Sequence, residues 1–194
     1  AGVIDNYTIT YTLSDPGLAT LQSVVLSYGT ATKVAIKTQP AANITGDAFT
    51  TAPAIDIQDA YGNKVANYTG TATISVSSGV GATIGVATTA SISAGSATFS
   101  TTTFQGTPGT EYRLQFSVGS LTPAVSNVIT VVHGPAASID IVTQPRAGVT
   151  GELLVTQPKV RLLDRLGYLV TSDSSTRVAI AIASGTDGTL SGTT

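Results

Sequence analysis

Two aspartates, Asp59 and Asp164, are best placed for binding chemistry, because each recurs in the same local pattern. The segments that follow them are Ala60-Tyr61-Gly62-Asn63 and Arg165-Leu166-Gly167-Tyr168. A carboxylate at a strand end can accept hydrogen bonds from turn amides, and clustered carboxylates can bind Ca²⁺. Neither aspartate has a D-x-D-x-D spacing. We interpret both as turn caps, with Gly62 expected to supply a positive φ, and keep Ca²⁺ binding at Asp59 and Asp164 as the alternative.

His133 is the single histidine of the chain, and the sequence contains no cysteine. A catalytic imidazole needs a second titratable partner, and none is apparent beside His133 in the sequence. The corresponding position 105 residues earlier holds Tyr28, so the pattern does not preserve an imidazole. We expect a packed side chain at a domain junction, no catalytic residue, no cofactor and no enzyme activity.

Three segments match the N-glycosylation pattern, and they begin at Asn6, Asn43 and Asn67. The pattern is frequent by chance in a chain rich in Ser and Thr, so these are weak candidates for modification. Sugar binding would need exposed aromatic rings, for which Tyr61 and Tyr68 lie in loop-like positions. Surface glycans are therefore a possible class of partner.

Composition excludes several function classes. Only 10% of the 194 residues are charged, against roughly 25% in an average globular protein, and the net charge is −2. Without a basic cluster, we expect no nucleic-acid partner. No apolar run reaches the roughly 18 residues that a membrane-spanning helix needs. Many β-branched residues together with 20 glycines and 8 prolines indicate an all-β protein with short strands.

The chain repeats itself with a period of about 105 residues. Thr38-Gln39-Pro40 recurs as Thr143-Gln144-Pro145, and the same offset relates Asp59 to Asp164. After about residue 66 the offset becomes 106. This register predicts three segments. Residues 1–29 are the C-terminal strands of one repeat, residues 30–134 are a complete repeat, and residues 135–194 are the N-terminal part of a third.

Within the complete repeat, about seven apolar runs are separated by turn signals, which predicts a sandwich of two antiparallel sheets. The clearest strand is 111–118, where Tyr112, Leu114, Phe116 and Val118 alternate with polar residues. Tyr112 and its counterpart Tyr7 stand where the penultimate strand begins. Either could form a tyrosine corner, with the hydroxyl bonded back to a loop, or could be a plain core aromatic.

The segment Asp59-Ala60-Tyr61-Gly62-Asn63-Lys64-Val65, after a strand that ends in Thr-Gln-Pro, resembles the bacterial immunoglobulin-like repeats of large surface proteins, of the invasin and intimin type. The resemblance implies tandem immunoglobulin-like Greek-key β-sandwich domains stacked as a rod at the cell surface, in an extracellular location. It brings no catalytic residues. Tyr168 departs from the pattern, since it replaces the Asn of the first turn.

The expected function is therefore a repetitive structural segment of a surface layer, sheath, filament or adhesin stalk. The alternative is an adhesin or carbohydrate-binding module, including one that accompanies a secreted glycoside hydrolase. Expected partners are neighbouring repeats or identical chains. The segment 135–194 by itself would expose a sheet edge and half a core. Either the chain is an excerpt of a longer array, or the N-terminal hairpin of one molecule completes the last segment of the next, head to tail.

Overall fold

A computed structural model describes residues 6–12, 19–41, 44–185 and 188–190, with backbone alone for 6–12 and 19–24. Every regular element in these ranges is a β-strand, and the paired strands are antiparallel. The all-β expectation is thus confirmed. The chain divides into two compact units, Ala1–Val132 and His133–Thr194. Below, the central region means residues 29–132, and the C-terminal unit means residues 133–194.

Fifteen strands are described. They are β1 (Asn6–Thr12), β2 (Ala19–Val25), β3 (Ala31–Thr38), β4 (Asp47–Ala48), β5 (Ala54–Asp59), β6 (Gly70–Ser78), β7 (Thr83–Gly85), β8 (Thr89–Ile92), β9 (Ser96–Thr98), β10 (Thr103–Gln105), β11 (Glu111–Ser117), β12 (Ala124–Val125), β13 (Ile129–Thr130), β14 (Ser138–Thr143) and β15 (Lys159–Leu163).

Three sheets build the central region. One has the order β3-β5-β9, a second has the order β12-β11-β6-β8 with β13 also paired to β11, and a short third sheet has the order β4-β10-β7. The prediction of about seven strands missed β4, β8 and β10, because segments of two to four residues carry too little alternation to be recognised.

The last predicted strand, 125–132, is interrupted, and Ser126 is the reason. The Ser126 amide donates to the Leu114 carbonyl at 2.8 Å, while the Leu114 amide donates to the Ser126 hydroxyl at 2.9 Å. A side-chain oxygen thus replaces a backbone carbonyl as the partner of β11. The ladder is divided there into β12 and β13.

The core of the central region lies between the β3-β5-β9 sheet and the β11-β6 sheet. Ile55 and Ile57 of β5 are fully buried, as are Tyr112, Leu114 and Phe116 of β11, all in one hydrophobic cluster. The predicted inward face of strand 111–118 is therefore confirmed. Phe116 packs against Phe99 with ring centroids 5.4 Å apart. Burying side chains of this size contributes about 1.5–3 kcal/mol each.

The hairpin β1–β2 repeats a strand pairing of the central region. Asn6 pairs with Val25 and Tyr7 with Val24. The residues 105 positions later make the same pairs, Glu111 with Thr130 and Tyr112 with Ile129. The hairpin therefore has the backbone register of β11 and β13.

The C-terminal unit repeats another pairing. Ile139 pairs with Leu162 and Ile141 with Val160 in β14–β15. Val34 with Ile57 and Ile36 with Ile55 make the same pairs in β3–β5, 105 positions earlier. Both ladders shift register at the same place, before Thr143 and Thr38 respectively. The period in the sequence is thus matched by the strand registers.

Candidate functional site

The first site lies where β5 ends and the chain turns at Asp59. The Asp59 amide donates to the Asn63 carbonyl at 2.9 Å, and the Gly62 amide donates to the Asp59 carbonyl at 3.2 Å. Gly62 has a φ of +91°, in the left-handed region that favours glycine. The predicted positive φ of Gly62 is confirmed.

Both carboxylate oxygens of Asp59 accept hydrogen bonds. Oδ1 accepts from the amides of Tyr61 and Asn63, each at 2.9 Å. Oδ2 accepts from the Gly29 amide at 2.8 Å and from Asn63 Nδ2 at 3.0 Å. Asp59 is only 1% exposed. Its carboxylate therefore joins a turn to a glycine 30 residues earlier in the chain. We call this arrangement of Gly29, Asp59, Tyr61, Gly62 and Asn63 the first clasp.

The second clasp consists of Gly134, Asp164, Leu166, Gly167 and Tyr168. Oδ1 of Asp164 accepts from the Leu166 and Tyr168 amides, each at 2.9 Å, and Oδ2 accepts from the Gly134 amide at 2.9 Å. Gly167 has a φ of +84°. The second clasp lacks the Asn63 side-chain bond, because Tyr168 occupies that position. The sequence departure at Tyr168 thus leaves the turn geometry unchanged.

Hydrogen bonding sets the charge of both clasps. The Gly29 amide has the largest effect on Asp59, and together with the Asn63 and Tyr61 donors it outweighs burial and holds the pKa at about 2. Burial raises the pKa of Asp164, but hydrogen bonds from the amides of Gly134, Tyr168 and Leu166 outweigh it and lower the pKa overall. Both aspartates are therefore ionised acceptors at neutral pH.

Calcium binding at Asp59 and Asp164 does not fit this geometry. Amide hydrogens carry partial positive charge and point at the carboxylate oxygens where a cation would have to lie. Among the residues that the structure describes, no three His, Cys, Asp or Glu side chains are grouped as metal ligands would be. The clasps are built to hold backbone amides, which is the turn-capping interpretation.

His133 lies next to the second clasp and is bound within the C-terminal unit. Its Nε2 accepts from the Thr171 amide at 3.1 Å, and its Nδ1 lies 2.8 Å from the Gly134 carbonyl oxygen. Since Nε2 accepts, Nδ1 carries the hydrogen and donates to Gly134. Both ring nitrogens are thereby engaged with backbone groups.

Tyr112 occupies a narrow slot in the central region. Its hydroxyl accepts from the Thr107 amide, five residues upstream, at 2.8 Å, the bond that the tyrosine-corner hypothesis expects. A Cβ added at Gly79 would lie 2.2 Å from the ring, and one added at Gly106 would lie 2.7 Å from it. The two glycines leave the space that the ring fills. For Tyr7, the structure describes the backbone in β1.

The glycan candidates are scattered. Asn67 is exposed in a turn, Asn6 begins β1, and Asn43 lies outside the described residues. The Tyr61 side chain is 71% exposed, whereas Tyr68 packs against the core. The two rings thus do not form one exposed aromatic surface.

Sequence reasoning missed the long-range bonds of the clasps, from Gly29 to Asp59 and from Gly134 to Asp164. The available signal was the identical 30-residue spacing within each pair. It also missed a polar network in which Lys64 Nζ donates to Ser96 Oγ, and Ser96 Oγ donates to Asp56 Oδ1, both at 2.5 Å. Arg161 replaces Asp56 in the next copy, so the repeat gave no signal for this network.

Asp173 forms a further turn that sequence reasoning missed. It accepts bonds from the Ser175 amide at 2.8 Å and from the amide and hydroxyl of Thr176. The Thr176 hydroxyl and amide, with the Ser175 donors, lower the pKa of Asp173. These are local bonds of an exposed turn.

No family model matches this chain, and no curated protein matches it. Several solved structures match it, including the following two. One is a glycosyl hydrolase family 2 member from Bacteroides cellulosilyticus, with 17% identity, a TM-score of 0.39 and coverage of 60% of this chain and 16% of the other. The second is domains 5-6 of the S-layer protein SbsC, with 19% identity, a TM-score of 0.38 and coverage of 76% and 74%. At these scores neither structure bears on the function of the chain.

No helix in the described part of the chain has the length and apolarity needed to cross a bilayer.

Proposed function

We propose that this chain is a non-enzymatic structural segment of an extracellular surface protein, built from tandem immunoglobulin-like Greek-key repeats of the invasin and intimin type. The supporting observation is the pairing between the segment through which the chain enters the central region and the segment through which it leaves. Lys33 bridges Thr122 and Ile44 bridges Val132, and in both places the two segments run parallel.

Backbone hydrogen bonds join these first and last segments. The Val34 amide donates to the Thr122 carbonyl at 2.9 Å, and the Thr122 amide donates to the Thr32 carbonyl at 3.0 Å. The Thr45 amide donates to the Val132 carbonyl at 2.9 Å. Because parallel neighbours begin at the same end, the chain starts the region at one end and leaves it at the other. Repeats joined in series would then advance along one direction.

The same arrangement resists tension. A force applied through the ends of the region pulls the two parallel segments along each other, so their hydrogen bonds are loaded in shear together. Antiparallel neighbours pulled from one end would open one bond at a time. The region therefore has the bonding that a load-bearing segment requires.

The clasps support the same role. In the first clasp, Asp59 holds the amide of Gly29 just before β3 begins, and the second clasp holds Gly134 just before β14. Each carboxylate thus ties the preceding linker to the body of its repeat. With both nitrogens of His133 bound to backbone groups, we propose no catalytic role for the histidine.

Single-molecule stretching of the chain from its two ends tests the proposal. We expect Thr122→Pro to lower the unfolding force of the central region, because proline removes the amide that donates to Thr32. Thr122→Ala is the matched control, since it keeps that amide and changes only an exposed side chain. An unchanged force in Thr122→Pro would contradict the load-bearing role. Turnover of a polysaccharide by the purified chain would contradict the non-enzymatic assignment.

A further inference from the structure

A row of polar side chains crosses the outer face of the β3-β5-β9 sheet. Lys33 of β3 pairs with Gln58 of β5, and Gln58 is bridged on its other side by Lys64. Cross-strand partners project on the same face of a sheet. Val34 and Ile57, the chain neighbours of the first pair, are buried, so the paired side chains project away from the core. We call Lys33, Gln58 and Lys64 the polar row.

The two ammonium groups of the polar row flank an amide. Neighbouring strands are about 4.8 Å apart, so the Cα atoms of Lys33 and Lys64 are separated by roughly 10 Å. Lys64 Nζ donates to Ser96 Oγ and lies 3.5 Å from Asp56 Oδ1, which positions that ammonium on the sheet and offsets part of its charge. Among the residues that the structure describes, no carboxylate forms an ion pair with Lys33. The row, taken together with Asp56, therefore carries net positive charge.

An exposed aromatic ring lies beside the polar row. Tyr61 is three residues from both Gln58 and Lys64 along the chain, which keeps its Cα within about 11 Å of each. Its amide is held by the Asp59 carboxylate of the first clasp, and the residue is 71% exposed. An open ring can stack on the face of a sugar, an amide can bond to sugar hydroxyls, and an ammonium can bind a carboxylate. The surface thus combines the groups that recognise an acidic sugar.

The following repeat shows that the fold does not require these side chains. Its backbone makes the same two pairings, Ser138 with Leu163 and Leu163 with Leu169. These three residues occupy the positions of the polar row, 105 residues later, and Leu166 occupies that of Tyr61. The same strand pairing is therefore compatible with both sets of side chains. The cations, the amide and the ring of the central region are not needed for that pairing and are available to a ligand.

We propose that the polar row and the Tyr61 ring bind an acidic polysaccharide, one that carries carboxylate groups along its chain. A sheet face accepts an extended polymer laid across it, and cations spaced along a line suit acids repeated along that polymer. Two cations are few for other polyanionic partners, since a typical nucleic-acid site contacts about 6–10 phosphates and anionic lipids are bound by clusters of about 4–8 basic residues. The proposal adds a binding activity to the structural role and does not depend on it.

Isothermal titration calorimetry of the full chain with polygalacturonate tests the proposal. We expect binding that weakens as salt is added, because salt screens exposed charges, and no binding of neutral dextran. Lys33→Ser combined with Lys64→Leu introduces the residues of the following repeat and should weaken binding about tenfold. Lys33→Arg should retain binding, because a guanidinium also pairs with carboxylates.

The matched control is Lys159→Ala, which removes an exposed lysine outside the polar row and introduces the residue found at the corresponding position, Ala54. It should leave the affinity unchanged. Lys33→Ser alone should weaken binding without disturbing the ion pair of Lys64, and circular dichroism compares the fold of each variant with that of the unsubstituted chain. Tyr61→Leu should weaken binding by the same factor at low and high salt, because stacking is not screened.

No binding of polygalacturonate would overturn the proposal, as would an equal loss of affinity in Lys159→Ala and in the double variant. A single-stranded oligothymidylate bound as tightly as polygalacturonate would show that the row binds any polyanion, which would overturn the assignment to a polysaccharide. None of these outcomes changes the unfolding force of the central region, so the proposed load-bearing role is judged separately.

Discussion

The two clasps are nearly identical, but the cores beside them are not. Asp59 and Asp164 are 1% and 2% exposed, and each carboxylate holds a glycine amide 30 residues earlier. In the neighbouring strand, Ile55 is fully buried, whereas its counterpart Val160 is 43% exposed. Val34 and Ile139 differ in the same way, at 5% and 53%.

This difference shows that the clasps form from a short stretch of sequence, whereas the core forms only when strands from the whole repeat pack together. A clasp needs only the linker glycine, one strand pair and one turn, all within about 35 residues of sequence. The core needs β6, β9 and β11, which come later in the repeat. The same 105-residue register therefore produces a complete turn in both copies and a closed core in one.

The largest expected effect is on the core of the central region. Ile55→Ala should lower the free energy of unfolding by about 2–5 kcal/mol, because it leaves a cavity between two sheets. Val160→Ala, at the same repeat position, should change it by less than about 0.5 kcal/mol. Urea unfolding of the full chain, with hydrogen exchange followed separately over β5 and β15, measures both. Similar costs at the two positions would show that the C-terminal unit has a closed core in solution.

The second comparison concerns how the stability contributed by the two clasp aspartates depends on pH. Because the folded pKa of Asp59 is about 2, below the ordinary value of 3.8, its ionised form stabilises the fold. That stability is fully present above the ordinary pKa and is lost as the pH falls from 3.8 toward about 2. Because the pKa of Asp164 is also lowered, its contribution to stability is likewise lost as the pH falls.

We expect Asp59→Asn and Asp164→Asn each to lower the free energy of unfolding at pH 7. Each should also weaken the pH dependence of that free energy between pH 3.8 and about 2. The substituted amide nitrogen would face amide donors where an oxygen accepts them now. Acid titration followed by circular dichroism tests this, with exposed Glu152→Gln as the control. If Asp59→Asn unfolded in acid with the profile of the unsubstituted chain, the carboxylate would not be the linked group.

The sequence predicted those parts of the fold that repeat or alternate. The inward face of β11 and the positive φ at Gly62 followed from residue type and spacing. The break at Ser126 did not, because it depends on where Leu114 lies across the sheet. The bond from Asp59 to Gly29 also joins residues far apart in sequence, and only the matched spacing in two copies could have indicated it.

The smallest expected effect on the free energy of unfolding comes from substituting the turn glycines Gly62 and Gly167. It should be equal at the two positions. A Cβ at Gly62 or Gly167 would meet no atom within 4 Å, so substitution there costs backbone strain alone. We expect Gly62→Ala and Gly167→Ala each to cost about 1–2 kcal/mol, with Gly62→Asn costing less because asparagine tolerates left-handed backbone. Amide exchange at Asn63 and Tyr168, whose amides bind the two carboxylates, reports this loss directly. A cost at Gly62 without one at Gly167 would mean that the core, and not the turn sequence, holds the first clasp in shape.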